Sequence, residues 1–150
     1  MMEWTDRHWR FFARTMTRHA LLYTEMVTAP ALIHGDLERL TEHSKTEYPL
    51  ALQIGGSNPD ELYQATHRTK DLGFCEINLN LGCPSDRVQA GCFGAALMAD
   101  PIRVSECFEA MLNATGNAGP KVTAKIRIGI DDQKPHETLP SFLSMLISSN

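Results

Sequence analysis

Apolar and polar positions follow two periods that take turns along the chain. Trp9, Phe12, Ala13 and Met16 recur at helical spacing behind Thr5 and Asp6, either of which can cap, and predict a helix to about Arg18. The short aromatic and apolar run 21–26 (LLYTEM) reads as a strand, and 36–43 fits a short helix. A second strand is predicted over 50–54 (LALQI), stopped by Gly55 and Gly56. Asn58 with Pro59 opens the next helix, because proline suits a first turn. Leu62, Ala65, Thr66 and Leu72 continue it, and Gly73 can end it in a left-handed cap. Residues 76–81 (EINLNL) give a third strand, followed by a polar loop beginning Gly82-Cys83-Pro84-Ser85-Asp86-Arg87. Asp100 and Pro101 open a helix with Val104, Cys107, Phe108 and Met111 on one face. A fourth strand is predicted over 122–126 (VTAKI), and 139–147 carries a frayed helical pattern.

Strands alternating with helices through short loops imply parallel βαβ units. Two closures compete. A doubly wound nucleotide fold would show a glycine-rich phosphate loop, and neither GxGxxG nor GxxxxGK[ST] occurs. The polar and reactive residues fall instead at the C-terminal ends of successive strands: Gln53, then Asn78, Asn80 and Cys83, then Lys125 and Arg127. That distribution belongs to an α/β (β/α)8 TIM barrel, whose active site is built from its βα-loops. A complete barrel needs about 250 residues, so 150 hold roughly half of one. The chain begins at what reads as the exit of a strand, so the first strand is expected outside it. Residues 113–121 (NATGNAGPK) form a long connection, and no internal repeat, low-complexity segment or linker interrupts the pattern.

Composition narrows the picture. Apolar residues make up 43% and charged residues 21%, which is ordinary for a globular protein. The N-terminus has no apolar h-region, and no apolar run approaches the roughly 18 residues of a membrane helix. The expected compartment is therefore the cytoplasm, with no membrane partner. A formal net charge of −4 argues against strong nonspecific binding of nucleic acid by this segment, while allowing a local basic site. Cys75, Cys83, Cys92 and Cys107 are spaced too widely for a zinc knuckle, and the six histidines show neither HxH nor HExxH, so no metal is expected.

Chemistry concentrates at a few positions. Cys83 lies between Gly82, which permits close approach of backbone to a ligand, and Pro84, which stiffens the turn. A cysteine near its unperturbed pKa of about 8.5 is mostly a neutral thiol at neutral pH, able to donate a proton or to become a nucleophile. The competing reading is a loop cysteine chosen for its size, and for Cys75, Cys92 and Cys107 the inert core reading is preferred. Lys125, near the end of an apolar strand, needs either an anionic partner such as a cofactor with a delocalised charge or an escape to the barrel rim. Gln53 offers donor and acceptor together for the edge of a flavin or pyrimidine ring, or is a satisfied core amide. Asn80 can bond a substrate base or hold the loop; Arg87 and Arg127 can meet phosphate or flavin oxygens, or simply face solvent.

The segment 76–89 (EINLNLGCPSDRVQ), followed by 91–98 (GCFGAALM), resembles the active-site loop of tRNA-dihydrouridine synthases. The segments 4–8 (WTDRH), 22–26 (LYTEM), 51–56 (ALQIGG) and 127–132 (RIGIDD) match the same family and point to its A-type bacterial branch. The resemblance covers nearly the whole chain. It implies an FMN-binding (β/α)8 barrel followed by a small helical domain that grips RNA. It also implies NADPH-dependent reduction of tRNA D-loop uridines, those at 20 and 20a. Carried over motif by motif, Cys83 is the proton donor for C5 of the uracil after hydride reaches C6 from the flavin. Gln53 and Lys125 bind FMN, Asn80 contacts the target nucleotide, Arg87 is a second substrate-binding candidate, and Met1 and Met2 resemble the end of a flavin-facing first strand. The family's flavin-contacting histidine, phosphate-binding glycine loops and helical domain would lie beyond Asn150, so 150 residues alone are expected to be inactive. Two other readings stay open: another FMN barrel acting on free pyrimidines, of the dihydroorotate or dihydropyrimidine dehydrogenase kind, and an inactive fragment acting only as a scaffold.

Overall fold

The computed structural model describes residues 4–83 and 93–148. The chain order is α1 (Arg7–Met16), β1 (Leu22–Thr28), α2 (Ala29–His34), α3 (Leu37–Leu40), a 3-10 turn (Lys45–Glu47), β2 (Leu50–Gly55), α4 (Pro59–Thr69) and β3 (Glu76–Leu81). A second 3-10 turn (Gly94–Ala99), α5 (Pro101–Thr115), β4 (Lys121–Ile126) and α6 (Pro135–Ser148) complete it. The four strands are all parallel and lie side by side in sequence order, β1-β2-β3-β4. Four consecutive parallel strands with a helix after each are an arc of a (β/α)8 barrel.

The predicted helix starts are made by side-chain caps. Asp6 Oδ1 accepts from Trp9 N at 2.8 Å, Asn58 Oδ1 from Asp60 N at 2.9 Å, and Asp100 Oδ1 from Arg103 N at 3.0 Å. The ends differ more. Helix α4 stops at Thr69, whose hydroxyl donates back to Ala65 O, so Leu72 lies beyond the helix. Gly73 uses its positive φ of 93° in the turn toward β3 rather than as a helix cap. Helix α6 begins at Pro135, before the predicted residue 139, with that proline in the first position where a missing N–H costs least, and it runs on through Pro140. The short α2 has Pro30 in its first turn and follows β1 without a loop, which leaves no boundary in the sequence pattern.

Strand alternation divides the molecule into two faces. Ile77, Leu79 and Leu81 of β3, with Leu52 and Ile54 of β2, are fully buried against Leu62 of α4 and Val104 and Met111 of α5. The opposite face of the same strands carries Gln53, Glu76, Asn78 and Asn80 and forms the concave inside of the arc.

Helix α1 packs by a face the apolar periodicity does not indicate. Trp9, Phe12 and Met16 are exposed, while Arg10 and Ala13 are buried. Arg10 Nε pairs with Glu47 at 2.6 Å, and Arg14 donates to the carbonyls of Ala20, Glu47 and Pro49. Arginines whose guanidinium groups pair with a carboxylate and with carbonyls can enter a helix contact that an apolar count assigns to the aromatics. No helix among the described residues is long and apolar enough to cross a membrane, and no group of three metal-ligating side chains occurs among them.

Candidate active site

The site is built where β3 ends. Asn80, the penultimate residue of β3, turns its Oδ1 to the next turn of backbone and accepts from Gly82 N at 3.0 Å and Cys83 N at 2.6 Å. On the far side, Arg127 Nε donates to Gly82 O at 2.7 Å. Cys83 O accepts from Ala95 N at 2.9 Å, which ties the loop to the second 3-10 turn. The peptide that carries Cys83 is therefore held from three directions.

Below it, polar side chains continue across the concave face. Asn80 Nδ2 donates to Gln53 Oε1 at 2.8 Å, and Gln53 Nε2 to Asn78 Oδ1 at 3.0 Å. Asn78 Nδ2 donates to Thr123 Oγ1 at 2.7 Å, and Thr123 Oγ1 to Glu76 Oε1 at 2.5 Å. Tyr23 also donates to Glu76 Oε1, at 2.8 Å. Gln53, Asn78 and Asn80 are at most 7% exposed, so the ladder is a buried network with each partner satisfied. A shift of register between Tyr23 and Met26 in β1 brings Thr24 Oγ1 to within 3.0 Å of Gln53 N, which donates to it, so the bulge completes the hold on Gln53.

The ladder forms one wall of a cavity of about 710 Å³, lined also by Tyr23, Met26, Cys83 and Lys125. Cys83 is half-buried at its upper rim. Close packing continues above β2: a side chain at Gly55 would come within 2.9 Å of Met26 Sδ and 3.0 Å of the Phe93 ring. Burial, and then the hydrogen bond to Glu76, push the Tyr23 phenol up to about 12. Tyr23 is thus a fixed neutral donor at the floor.

The candidate residues do not all meet. Gln53, Asn80, Cys83 and Lys125 line the one cavity. Met1, Met2 and Arg87 lie outside the described residues. Lys125 departs from the sequence reading in one respect: it is exposed rather than placed in a buried strand, because β4 is an edge of the described sheet. Its ammonium stands over Gly82, 3.5 Å from where a methyl on that residue would sit, and it has no hydrogen-bond partner among the described residues. Asn80 holds the loop, and Arg127 binds a backbone carbonyl. Cys75 is exposed at the opposite end of β3 and donates to Leu50 O at 3.2 Å, so it is not a core residue, whereas burial of Cys107 pushes its thiol up to about 11.

Tyr23, Glu76 and Thr123 are site residues that the apolar pattern passes over. The signal for Glu76 was present in the period-two run Glu76, Asn78, Asn80, three polar residues on one face of an otherwise fully buried strand. Thr123 becomes visible only through the register that sets it opposite Asn78.

A flavin ring has a flat edge of alternating carbonyl and ring-nitrogen groups, and the donor set fits it. Each amide of the ladder spends only one of its two N–H groups there, Lys125 offers a cation without a partner among the described residues, and Gly82 leaves the approach open.

Comparison with known proteins gives the family of the chain. The chain is 51% identical over 148 residues to a tRNA-dihydrouridine(20/20a) synthase of Shewanella oneidensis, covering 99% of this chain and 43% of that protein. A protein of the same name from Vibrio parahaemolyticus is 52% identical over 146 residues, 97% of this chain and 44% of the relative. One from Synechocystis is 50% identical over 149 residues, 99% and 44%. The chain thus spans less than half the length of the curated relatives it matches. Residues 1–145 match the dihydrouridine synthase (Dus) family, and the chain belongs to it.

Proposed function

We propose that this chain carries the flavin-facing wall and the proton donor of a cytoplasmic tRNA-dihydrouridine synthase, which reduces D-loop uridines at positions 20 and 20a. The remaining barrel strands and a helical tRNA-gripping domain are supplied from outside these 150 residues. The observation that carries the reading is the position of Cys83. It leaves a central strand onto the rim of a cavity that Gln53 and Lys125 also line.

In this reading Gln53 and Lys125 hold FMN, with Lys125 offsetting negative charge on the ring. Bound FMN, kept reduced by NADPH, supplies a hydride for C6 of the uracil. The electron pair of the C5–C6 bond then resides as an enolate toward the C4 carbonyl. The Cys83 S–H bond breaks as the C5–H bond forms, leaving a thiolate, and the product is the 5,6-dihydro ring. The target base must leave its stack to reach the rim, and the backbone clamps on Gly82 and Cys83 fix where the acid stands when it arrives.

The test is to supply the protein at its full natural length with NADPH and either unmodified tRNA, free uridine or dihydroorotate. Dihydrouridine formed in tRNA alone is the expected result. Turnover of a free pyrimidine with none on tRNA would overturn the reading in favour of a small-molecule dehydrogenase.

A further inference from the structure

Every hydrogen bond in the ladder points the same way, and both of its ends demand that direction. At the top, the backbone N–H groups of Gly82 and Cys83 can only donate, so Asn80 must turn its carbonyl oxygen to them. Its Nδ2 then faces Gln53 Oε1, Gln53 Nε2 faces Asn78 Oδ1, and Asn78 Nδ2 faces Thr123 Oγ1. The single hydroxyl hydrogen of Thr123 is left for Glu76. At the bottom, an ionised carboxylate can only accept, so Glu76 independently requires the same orientation of Thr123 and of Tyr23.

Hydrogen bonds in such a series polarise one another, most strongly where water is excluded. An amide in place of the Glu76 carboxylate would accept or donate equally well, and the direction would no longer be set from below. A reversed Asn80 would present N–H to the two loop N–H groups, and the clamp on Cys83 would open.

We infer that Glu76 and Thr123 are positioning residues for Cys83, acting at a distance through the one-way series of Asn78, Gln53 and Asn80. Glu76 sets from below the same direction that the loop N–H groups set from above, and Thr123 on β4 carries it between Glu76 and Asn78, both on β3. The inference rests on the proposed role of Cys83 in the reaction, and it adds a determinant located in the cavity floor. A Glu76 that merely satisfied its own burial would change stability without changing the thiol.

The test follows the rate of Cys83 alkylation by iodoacetamide against pH, resolved to this residue by mass spectrometry, in the protein at its full natural length. The variants are Thr123→Val, Thr123→Ser, Glu76→Gln and Tyr23→Phe. Thr123→Val and Glu76→Gln are expected to change the rate at fixed pH by about fivefold, the consequence of one lost buried hydrogen bond. Thr123→Ser restores the native profile. A folded Thr123→Val protein with the native Cys83 profile would overturn the inference, and this pair decides it even if Glu76→Gln does not fold. Dihydrouridine in tRNA is measured on the same preparations. If the unaltered protein forms none while the Cys83 profile still responds to Thr123→Val, the positioning role stands and the proposed function fails.

Discussion

Strands β3 and β4 lie side by side in parallel register, from Glu76 opposite Lys121 to Leu81 opposite Ile126. Both alternate polar and apolar residues, and both feed the same cavity. All six residues of β3 are buried; none of β4 is. The β3 residues Asn78 and Asn80 are bonded to Gln53 on β2, and Asn78 also to Thr123 on β4, whereas Lys125 on β4 has no partner among the described residues. The difference shows what makes half of a site rigid. A polar side chain on a central strand is held by neighbours on both sides, while one on an edge strand depends on whatever meets its open edge. The fixed half carries the proposed acid, and the half that remains adaptable carries the cation proposed for the cofactor.

Several changes test that contrast, beginning with the largest. Leu79→Ala in β3 should cost about 2–5 kcal/mol in urea unfolding, because a fully buried leucine leaves a cavity. Val122→Ala in β4 removes a half-buried side chain and should cost about 1 kcal/mol. Equal losses would remove the distinction between the strands. Lys125→Ala should leave the fold intact and weaken FMN retention by about tenfold, as expected for one charge-assisted contact. Full FMN content at an unchanged rate of reduction in purified Lys125→Ala would refute its assignment.

The smallest effect concerns alkaline pH. The Tyr23 phenol rises from 10.0 to about 12 on folding, and the Cys107 thiol from 9.0 to about 11. Each folded group holds its proton where the unfolded chain has released it. Their contribution is full at lower pH and is lost as pH rises, between 9 and about 11 for Cys107 and between 10 and about 12 for Tyr23. The urea midpoint should therefore decline above pH 9, and Tyr23→Phe should flatten the part above pH 10. An identical decline in Tyr23→Phe would show that the Tyr23–Glu76 bond does not act in this way.

The contrast between the strands also separates what the sequence shows locally from what only the sheet decides. Caps at Asp6, Asn58 and Asp100, the four strands and the position of Cys83 were legible because each depends on residues close in the chain. The runs 76–81 and 122–126 look alike as sequence, and only the sheet order makes one central and one an edge. The ladder from Glu76 to Asn80 joins residues from three strands through parallel register, which no local pattern encodes. The burial of Arg10 in place of the aromatic face of α1 depends on Glu47, far along the chain.

The proposed role of Cys83 is to give its proton to the substrate ring. The direct measurement is Cys83→Ala in the protein at its full natural length, with FMN reduction by NADPH and dihydrouridine in tRNA followed in parallel. Flavin reduction should persist while the dihydrouridine rate falls by about 10²–10⁴-fold, the range for loss of a positioned general acid. Unchanged dihydrouridine formation by Cys83→Ala would contradict that role.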